Sequence, residues 1–444
     1  MRVILLSSLL VIFAISSCDD SSCKKTEGGI EVCDGVDNDC NGTVDDAPDE
    51  LCALDHAAAS CQAGACVITA CDDGWEDLDG RPSTGCEIQT MCVPADPVDR
   101  REAAPWFTCP EAGVLANATV VTVMDRVDQY FGAEDRRTVD ATALFPDTDC
   151  WQQVFMEVNL ECPANGKCDH WDRTASIALV EEPGNPESEV LELLRYITPY
   201  RVGMCTLLDV TEFASRLKGQ AHLRSFVDTW VGPGSSYGEG WRVTVRFHFL
   251  AGTPIFPAPE IVSAVPRRWI TLGEGANPVP PQLGETSLEM AEPPRLVRVR
   301  VLATGHGQGN AGNCAEFCKV QPVVHVDGAE HALDNWRYDC GANPVNDQLG
   351  TWTYGRQGWC PGAVVVPLVV DVTDDLAAAS TISWDMRQAD GEVYENTCQP
   401  GAGELVEGEE VCTDCTYGDD LCAYNGGSHT TPVELFSAQV FIYR

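Results

Sequence analysis

The 23 cysteines of this 444-residue chain fall unevenly, and their placement limits the folds open to it. Ten of them lie between Cys23 and Cys109, where residues 19–100 carry 20 acidic against 4 basic side chains and sustain neither helical nor strand periodicity. A segment of that kind has little apolar surface to bury, so cross-links must supply what a core would. Disulfides need an oxidising compartment. The N-terminus supplies the route, since Met1-Arg2, the apolar run 3–15 and the small residues Ser16-Ser17 read as a signal peptide over 1–17. No later apolar stretch is long enough to cross a bilayer. With Cys18 set aside, 22 cysteines remain, an even number that fits full pairing.

Ile15-Ser16-Ser17-Cys18 resembles a bacterial lipobox, in which the cysteine becomes the lipid-modified first residue. The expectation is an exported protein, anchored by lipid at the bacterial cell envelope or secreted. Residues 18–109 then form a cysteine-rich acidic stalk. Within it, oxygen-bearing side chains alternate before a glycine at Asp37, Asp39 and Asn41, followed by the Thr43 carbonyl and Asp45. That spacing wraps a hard cation in the first half of an EF-hand-type loop, although Pro48 occupies the position of the usual bidentate glutamate. The loop looks like the calcium-binding repeats of exported bacterial stalk and adhesive proteins, and a structural calcium is expected there. A second acidic patch spans residues 72–80. The alternative for both is a solvated acidic turn.

A net charge of −40 would repel a phosphate backbone, which excludes nucleic acid as a partner. At this length two or three folded units are expected. Beyond about residue 110 the texture changes to short runs such as 119–123, 241–249, 296–301 and 364–370, several of which alternate polar and apolar residues. Period-two alternation marks antiparallel strands solvated on one face. With Gly and Pro clusters between runs, the fold class is all-β. A proline-rich connector between Pro254 and Pro281 divides the region into sandwich domains at 110–258 and 259–444.

Three segments combine a carboxylate with rigidifying neighbours: residues 162–173, residues 226–230 and Cys314-Ala315-Glu316-Phe317-Cys318. Amide hydrolysis needs one carboxylate to activate water and one acid to protonate the leaving nitrogen. Neighbouring acids in a desolvated cleft can divide those roles. Three blocks of the chain, Cys168-Asp169 with Trp171-Asp172-Arg173, residues 196–203 and residues 209–213, are similar in order and spacing to the N-terminal domain of the peptide-N-glycosidase F family. Gly305-His306, the 314–318 segment, residues 340–346 and residues 356–362 resemble its C-terminal half. The likeness runs from about Val120 to the C-terminus and leaves out the acidic stalk.

The resemblance implies two antiparallel eight-stranded jelly rolls side by side with the active site in the cleft between them. It implies an amidase that releases the intact glycan from N-linked glycoproteins or glycopeptides, leaving aspartate, with no cofactor for catalysis. Asp172 matches the principal catalytic aspartate and Glu316 a second acid. Asp228, the third catalytic residue implied, stands where the family has glutamate, and Arg173, Trp230, His306, Arg356 and Trp359 match substrate-binding positions. The disulfides Cys162–Cys168, Cys314–Cys318 and Cys340–Cys360 are likewise implied.

Two departures stand out. Asp228 withdraws its carboxyl by about 1.3 to 1.5 Å, one carbon–carbon bond. Thr304 replaces the family's tryptophan before Gly-His, removing an aromatic wall suited to a sugar ring. In an insertion over 398–427, Cys398, Cys412, Cys415 and Cys422 read as two disulfides, although Cys412 and Cys415 also have zinc spacing. The alternative function is a cell-surface lectin or adhesin of the same fold. Copper oxygenase chemistry has little support from eight histidines with no His-x-His pair. The expected state is a monomer.

Overall fold

The computed structural model describes residues 23–89, 107–109, 115–307, 316–394, 404–411 and 432–443, apart from isolated positions within those ranges. The signal peptide, Cys18, the Cys314–Cys318 pairing and the four cysteines of the 398–427 insertion lie outside the described residues. The chain forms two compact units, one up to Met91 and one from Cys92 onward.

Cross-links dominate the first unit. Cys23–Cys40, Cys33–Cys61, Cys52–Cys66 and Cys71–Cys86 are bonded. Among the described residues its named elements include the hairpin of β1 (Ala57–Gln62) and β2 (Ala65–Cys71), the short pair β3 (Trp75–Glu76) and β4 (Ile88–Gln89), and short turns of 3-10 helix. Among its described apolar side chains only Cys52 and Cys86 are buried. Each bridge restricts the unfolded chain, and loops of this size contribute about 3 kcal/mol apiece on the chain-entropy account.

The second unit is antiparallel β almost throughout. Its first half contains β5 (Thr119–Gln129), β6 (Thr138–Phe145), β7 (Trp151–Glu161), β8 (Thr174–Val180), β9 (Val190–Ile197), β10 (Met204–Asp209), β11 (Gly219–Val227) and β12 (Trp241–Ala251). One sheet has the order β10-β7-β12-β5, and the other carries β9-β8-β11-β6. Phe145 of one sheet meets Phe247 and Phe249 of the other at ring distances of 5.2 and 5.9 Å, so the sheets pack face to face. The alternation expected for β12 holds here: Trp241, Val243, Val245, Phe247 and Phe249 are buried, while Arg242 and Arg246 reach outward to Asp128 and Glu157.

The second half contains β13 (Glu260–Thr271), β14 (Glu285–Glu289), β15 (Leu296–His306), β16 (Val320–Val326), β17 (Ala329–Ala332), β18 (Trp336–Arg337), β19 (Arg356–Gln357), β20 (Ala363–Val364), β21 (Leu368–Asp371), β22 (Ala379–Gln388), β23 (Glu404–Val406), β24 (Glu409–Val411) and β25 (Val433–Tyr443). Sheets β13-β25-β15-β21 and β14-β22-β16-β17 enclose a core of Val297, Val299, Val301, Val324, Ile382, Trp384, Phe436 and Val440.

Two sequence expectations change at the junction of the halves. The alternation in β15 predicts a solvated polar face, yet Arg300 is 5 % exposed and donates to the Glu192 and Leu193 carbonyls and to Gln439 Oε1. That face of the strand packs on the first half instead of on water. The apolar run 364–370, expected as one strand, is split. β20 joins the first half's sheet beside β9, while β21 joins the second half's sheet beside β15. Pro367, lacking an N–H, lies between them.

A buried ion pair locks the junction. Arg195 and Glu192 on β9 are fully enclosed and meet through two contacts of 2.9 and 2.7 Å. Arg195 also donates to the Leu302 and Leu435 carbonyls, Thr304 Oγ1 and Ser437 Oγ. Burial alone would raise the Glu192 carboxyl, and Arg195 more than offsets it, holding the group below its ordinary range.

Candidate active site

Asp172 lies in the loop entering β8, and that loop is short and tied at both ends. The Cys162–Cys168 disulfide closes its first part. Asp169, wholly buried, then accepts from Trp171 N at 3.1 Å, Arg173 Nε at 2.8 Å and Thr229 Oγ1 at 2.7 Å. A carboxylate taking three donors fixes the turn on either side of Asp172 and ties it to the segment after β11. Gly238 (φ +103°) completes the brace, because a Cβ there would stand 2.2 Å from the Cys168 carbonyl. Asp172 itself accepts one hydrogen bond, from Tyr200 Oη at 2.7 Å. Desolvation pushes its carboxyl above the ordinary aspartate range, opposed by the Tyr200 bond and by the charges of Arg356 and Arg173.

Glu316 comes from the other half. Its backbone N donates to Gly307 O, and its carbonyl accepts from Gln357 N at 2.8 Å. Gln357 is fully buried, and its side-chain amide bonds both the N and the O of Val320, so one residue clasps the loop at Glu316 and at the start of β16. Burial raises the Glu316 carboxyl to about 7, with the Asp172 carboxylate adding to the shift and Arg356 opposing it. The structure thus brings Asp172 and Glu316 into one electrostatic neighbourhood around Arg356.

Arg356 and Trp359 stand behind these acids instead of presenting a face to solvent. Arg356 has no exposed surface and donates to the Thr351 and Tyr354 carbonyls and to Thr351 Oγ1, each at 2.9 Å. Its guanidinium lies over the rings of Phe317 and Trp359, and its buried Nε has no hydrogen-bond partner. Trp359, 2 % exposed, donates to Gly305 O at 2.7 Å and stacks on His306. Gly358 permits this, since its φ is +81° and a Cβ would meet Ala303 O at 2.1 Å. The Cys340–Cys360 bridge pins the end of the segment. Burial, reinforced by Arg195, depresses the His306 imidazole to about 3, so the ring is neutral at ordinary pH and bonds Thr304 Oγ1.

Asp228 adjoins Arg173. Desolvation raises its carboxyl, and Arg137, Arg173 and Arg267 oppose that. Arg137 Nη1 is 3.5 Å from Asp228 Oδ1, and its guanidinium lies against both the Phe131 and Trp230 rings at 4.7 and 4.4 Å, the two rings packing on each other at 5.1 Å. Trp230 is 54 % exposed, an accessible ring beside the acids. Asp169, Tyr200, Gln357 and Arg137 carry no role in the sequence reading. Tyr200 lies inside the matched block 196–203 and was findable there, whereas nothing in the sequence singles out Arg137.

In the first unit, the loop oxygens are divided between backbone and cluster. Asp37 accepts from Asn41 N and Gly42 N, Asp39 from Asn41 N, and Asn41 Oδ1 from Thr43 N. Asp45 turns away to cap the amides of Asp34 and Gly35. Glu31, Asp39 and Asp46 are the carboxylates placed within 4.8 Å of one another, and Glu31 Oε2 is buried without a partner. All donors there are oxygens. Cys33, Cys52 and Cys66 nearby are tied in disulfides, so the set suits a hard cation and offers no thiolate.

Comparisons with known proteins agree with the architecture. The family described as Peptide-N-glycosidase F, C terminal, matches residues 281–399, and a metal-binding motif family, copper-binding MopE, matches residues 18–46. Over 287 residues, 61% of this chain and 77% of the relative, the chain is 29% identical to peptide-N(4)-(N-acetyl-beta-D-glucosaminyl)asparagine amidase F of Elizabethkingia miricola. A crystal structure of a peptide-N(4)-(N-acetyl-beta-D-glucosaminyl)asparagine amidase superposes with TM-score 0.57 at 22% identity, covering 73% of this chain and 96% of that one. PNGase F, a glycosylasparaginase from Flavobacterium meningosepticum, gives TM-score 0.55 at 24% identity over 73% and 96%. At these identities the solved structures speak for the fold.

Proposed function

We propose that this chain, matched over residues 281–399 by the peptide-N-glycosidase F C-terminal family and 29% identical to an amidase F over 287 residues, is an amidase acting on glycosylated asparagine in N-linked glycoproteins or glycopeptides. The observation that carries the reading is the pairing, across the two halves, of Asp172 and Glu316, two carboxyls raised by burial and sharing the charge of Arg356. In the reaction, water adds to the side-chain amide carbon and the C–N bond breaks. The nitrogen leaves with a proton as the glycosylamine, and aspartate remains on the peptide.

Asp172 takes the proton from water as general base, and its raised pKa makes it a stronger base than an exposed aspartate. Glu316, poised near neutrality, supplies the proton to the leaving nitrogen. Arg356 keeps a fixed positive charge beside the negative charge that develops on the amide oxygen. Asp228, Arg173 and Trp230 orient the first sugar, with the exposed ring of Trp230 as a stacking surface. His306 and Trp359 hold Arg356 and the Glu316 wall in place.

Around this centre we place a signal peptide at 1–17, a lipid on Cys18, an acidic stalk over 18–109 and jelly rolls at 110–258 and 259–444. A metal-binding motif is present in the stalk, and its oxygen-only donors favour calcium as a structural ion. Incubation of the purified protein with a denatured N-glycoprotein tests the reading. Glycan release with conversion of asparagine to aspartate is expected, while an intact glycoprotein bound without turnover would point to a lectin.

A further inference from the structure

The cross-strand row that contains Thr304 ends on an exposed tryptophan. Thr304 on β15 pairs with Leu435 on β25, and Leu435 pairs with Trp269 on β13, so the three side chains share one face of the sheet. Thr304 is fully buried and bonded to Arg195 and His306. Trp269 is 50 % exposed and stands edge-on against His306 at 5.2 Å, with His306 stacked in turn on Trp359. Two residues earlier on the same strand, Arg267 donates to Ser176 Oγ at 2.8 Å, covers the Phe226 ring and acts on the Asp228 carboxyl. Strand β13 thus reaches the Asp228 group through Arg267 and the His306–Trp359–Arg356 stack through Trp269.

We infer that Trp269 is a substrate-binding residue whose open indole face takes the apolar face of an N-acetylglucosamine ring, in place of the aromatic that Thr304 does not provide. This rests on the reading of the cleft as glycan-binding. The ring stands edge-on against a neutral imidazole that is itself backed by the Trp359 indole, a contact that reduces the rotamer freedom lost on binding and so favours affinity. An indole offers a large planar surface with a polar edge, suited to a sugar that is apolar on one face.

The test compares Trp269→Ala and Trp269→Phe with the unmodified protein, using a glycopeptide for turnover and the free β1,4-linked N-acetylglucosamine dimer for binding by calorimetry. For Trp269→Ala, KM should rise about tenfold with kcat within about twofold, and dimer affinity should fall by a similar factor. Trp269→Phe should keep most of both. Unchanged KM and unchanged dimer affinity in Trp269→Ala would overturn the inference, as would an unmodified protein that neither turns over glycopeptide nor binds the dimer. If the unmodified protein releases no glycan yet Trp269→Ala weakens dimer binding, Trp269 stands and the amidase reading falls.

Discussion

At the scale of single residues, burial raises the carboxyls of Asp172, Glu316 and Asp228 above their ordinary range. Asp172→Asn removes the base without changing shape, and glycan release should fall by about 10²- to 10⁴-fold, measured by initial rates on a glycopeptide. Tyr200→Phe removes a bond that lowers the Asp172 pKa. The acid limb of the pH–rate profile should therefore move to higher pH, and a profile identical to the original would contradict the assignment. Glu316 titrates at about 7 in the fold and near the ordinary glutamate value when unfolded. Between those two values the folded chain holds the extra proton, so this group's contribution to stability is full below the unfolded pKa and declines as pH rises through 7. Glu316→Gln should flatten the fall in unfolding midpoint between pH 5 and pH 8, as read from denaturant titrations. Cysteine-flanked motifs drew attention to the segments holding Asp172 and Glu316, but only the family resemblance singled out Asp172 over Asp169 in the same segment. Arg137 and Trp269 were not legible in the sequence, since their relation to the site arises from strand pairing across long sequence separations.

At the scale of elements, the junction between the halves sets the distance between Asp172 and Glu316. It consists of one face of the β13-β25-β15-β21 sheet, the intruding strand β20 and the enclosed pair of Glu192 and Arg195. Removing one member of such a pair leaves a charge buried without its counter-ion, which costs about 3 to 5 kcal/mol. Arg195→Ala should lose stability by that amount in denaturant unfolding, and a loss under about 1 kcal/mol would show that the junction is held elsewhere. Period two exposed the strands but could not say what covers each face. On β12 Arg242 and Arg246 reach partly to solvent while Thr244 and His248 between them are buried, whereas β15 turns Arg300 to the other half, and the two sequences alternate alike. The split of run 364–370 between two sheets also escaped the pattern, because a run of valines satisfies either sheet.

At the scale of the whole molecule, the chain joins a unit held by cross-links to a unit held by cores. Among its described residues the first has few buried apolar side chains, so its disulfides weigh heavily on its stability and a bound metal would add to it. Adding calcium to chelator-treated protein should raise the melting temperature of a first calorimetric transition and leave the transition of the β unit in place. Asp39→Ala should abolish that shift, and a calcium-independent first transition would remove the ion from the account. The measurement that bears most directly on the central claim is mass spectrometry of a denatured N-glycoprotein after incubation with the purified protein. Released intact glycan and aspartate at each former glycosylation site, lost in Asp172→Asn, are expected, and a glycoprotein left intact by the unmodified protein would refute the amidase assignment.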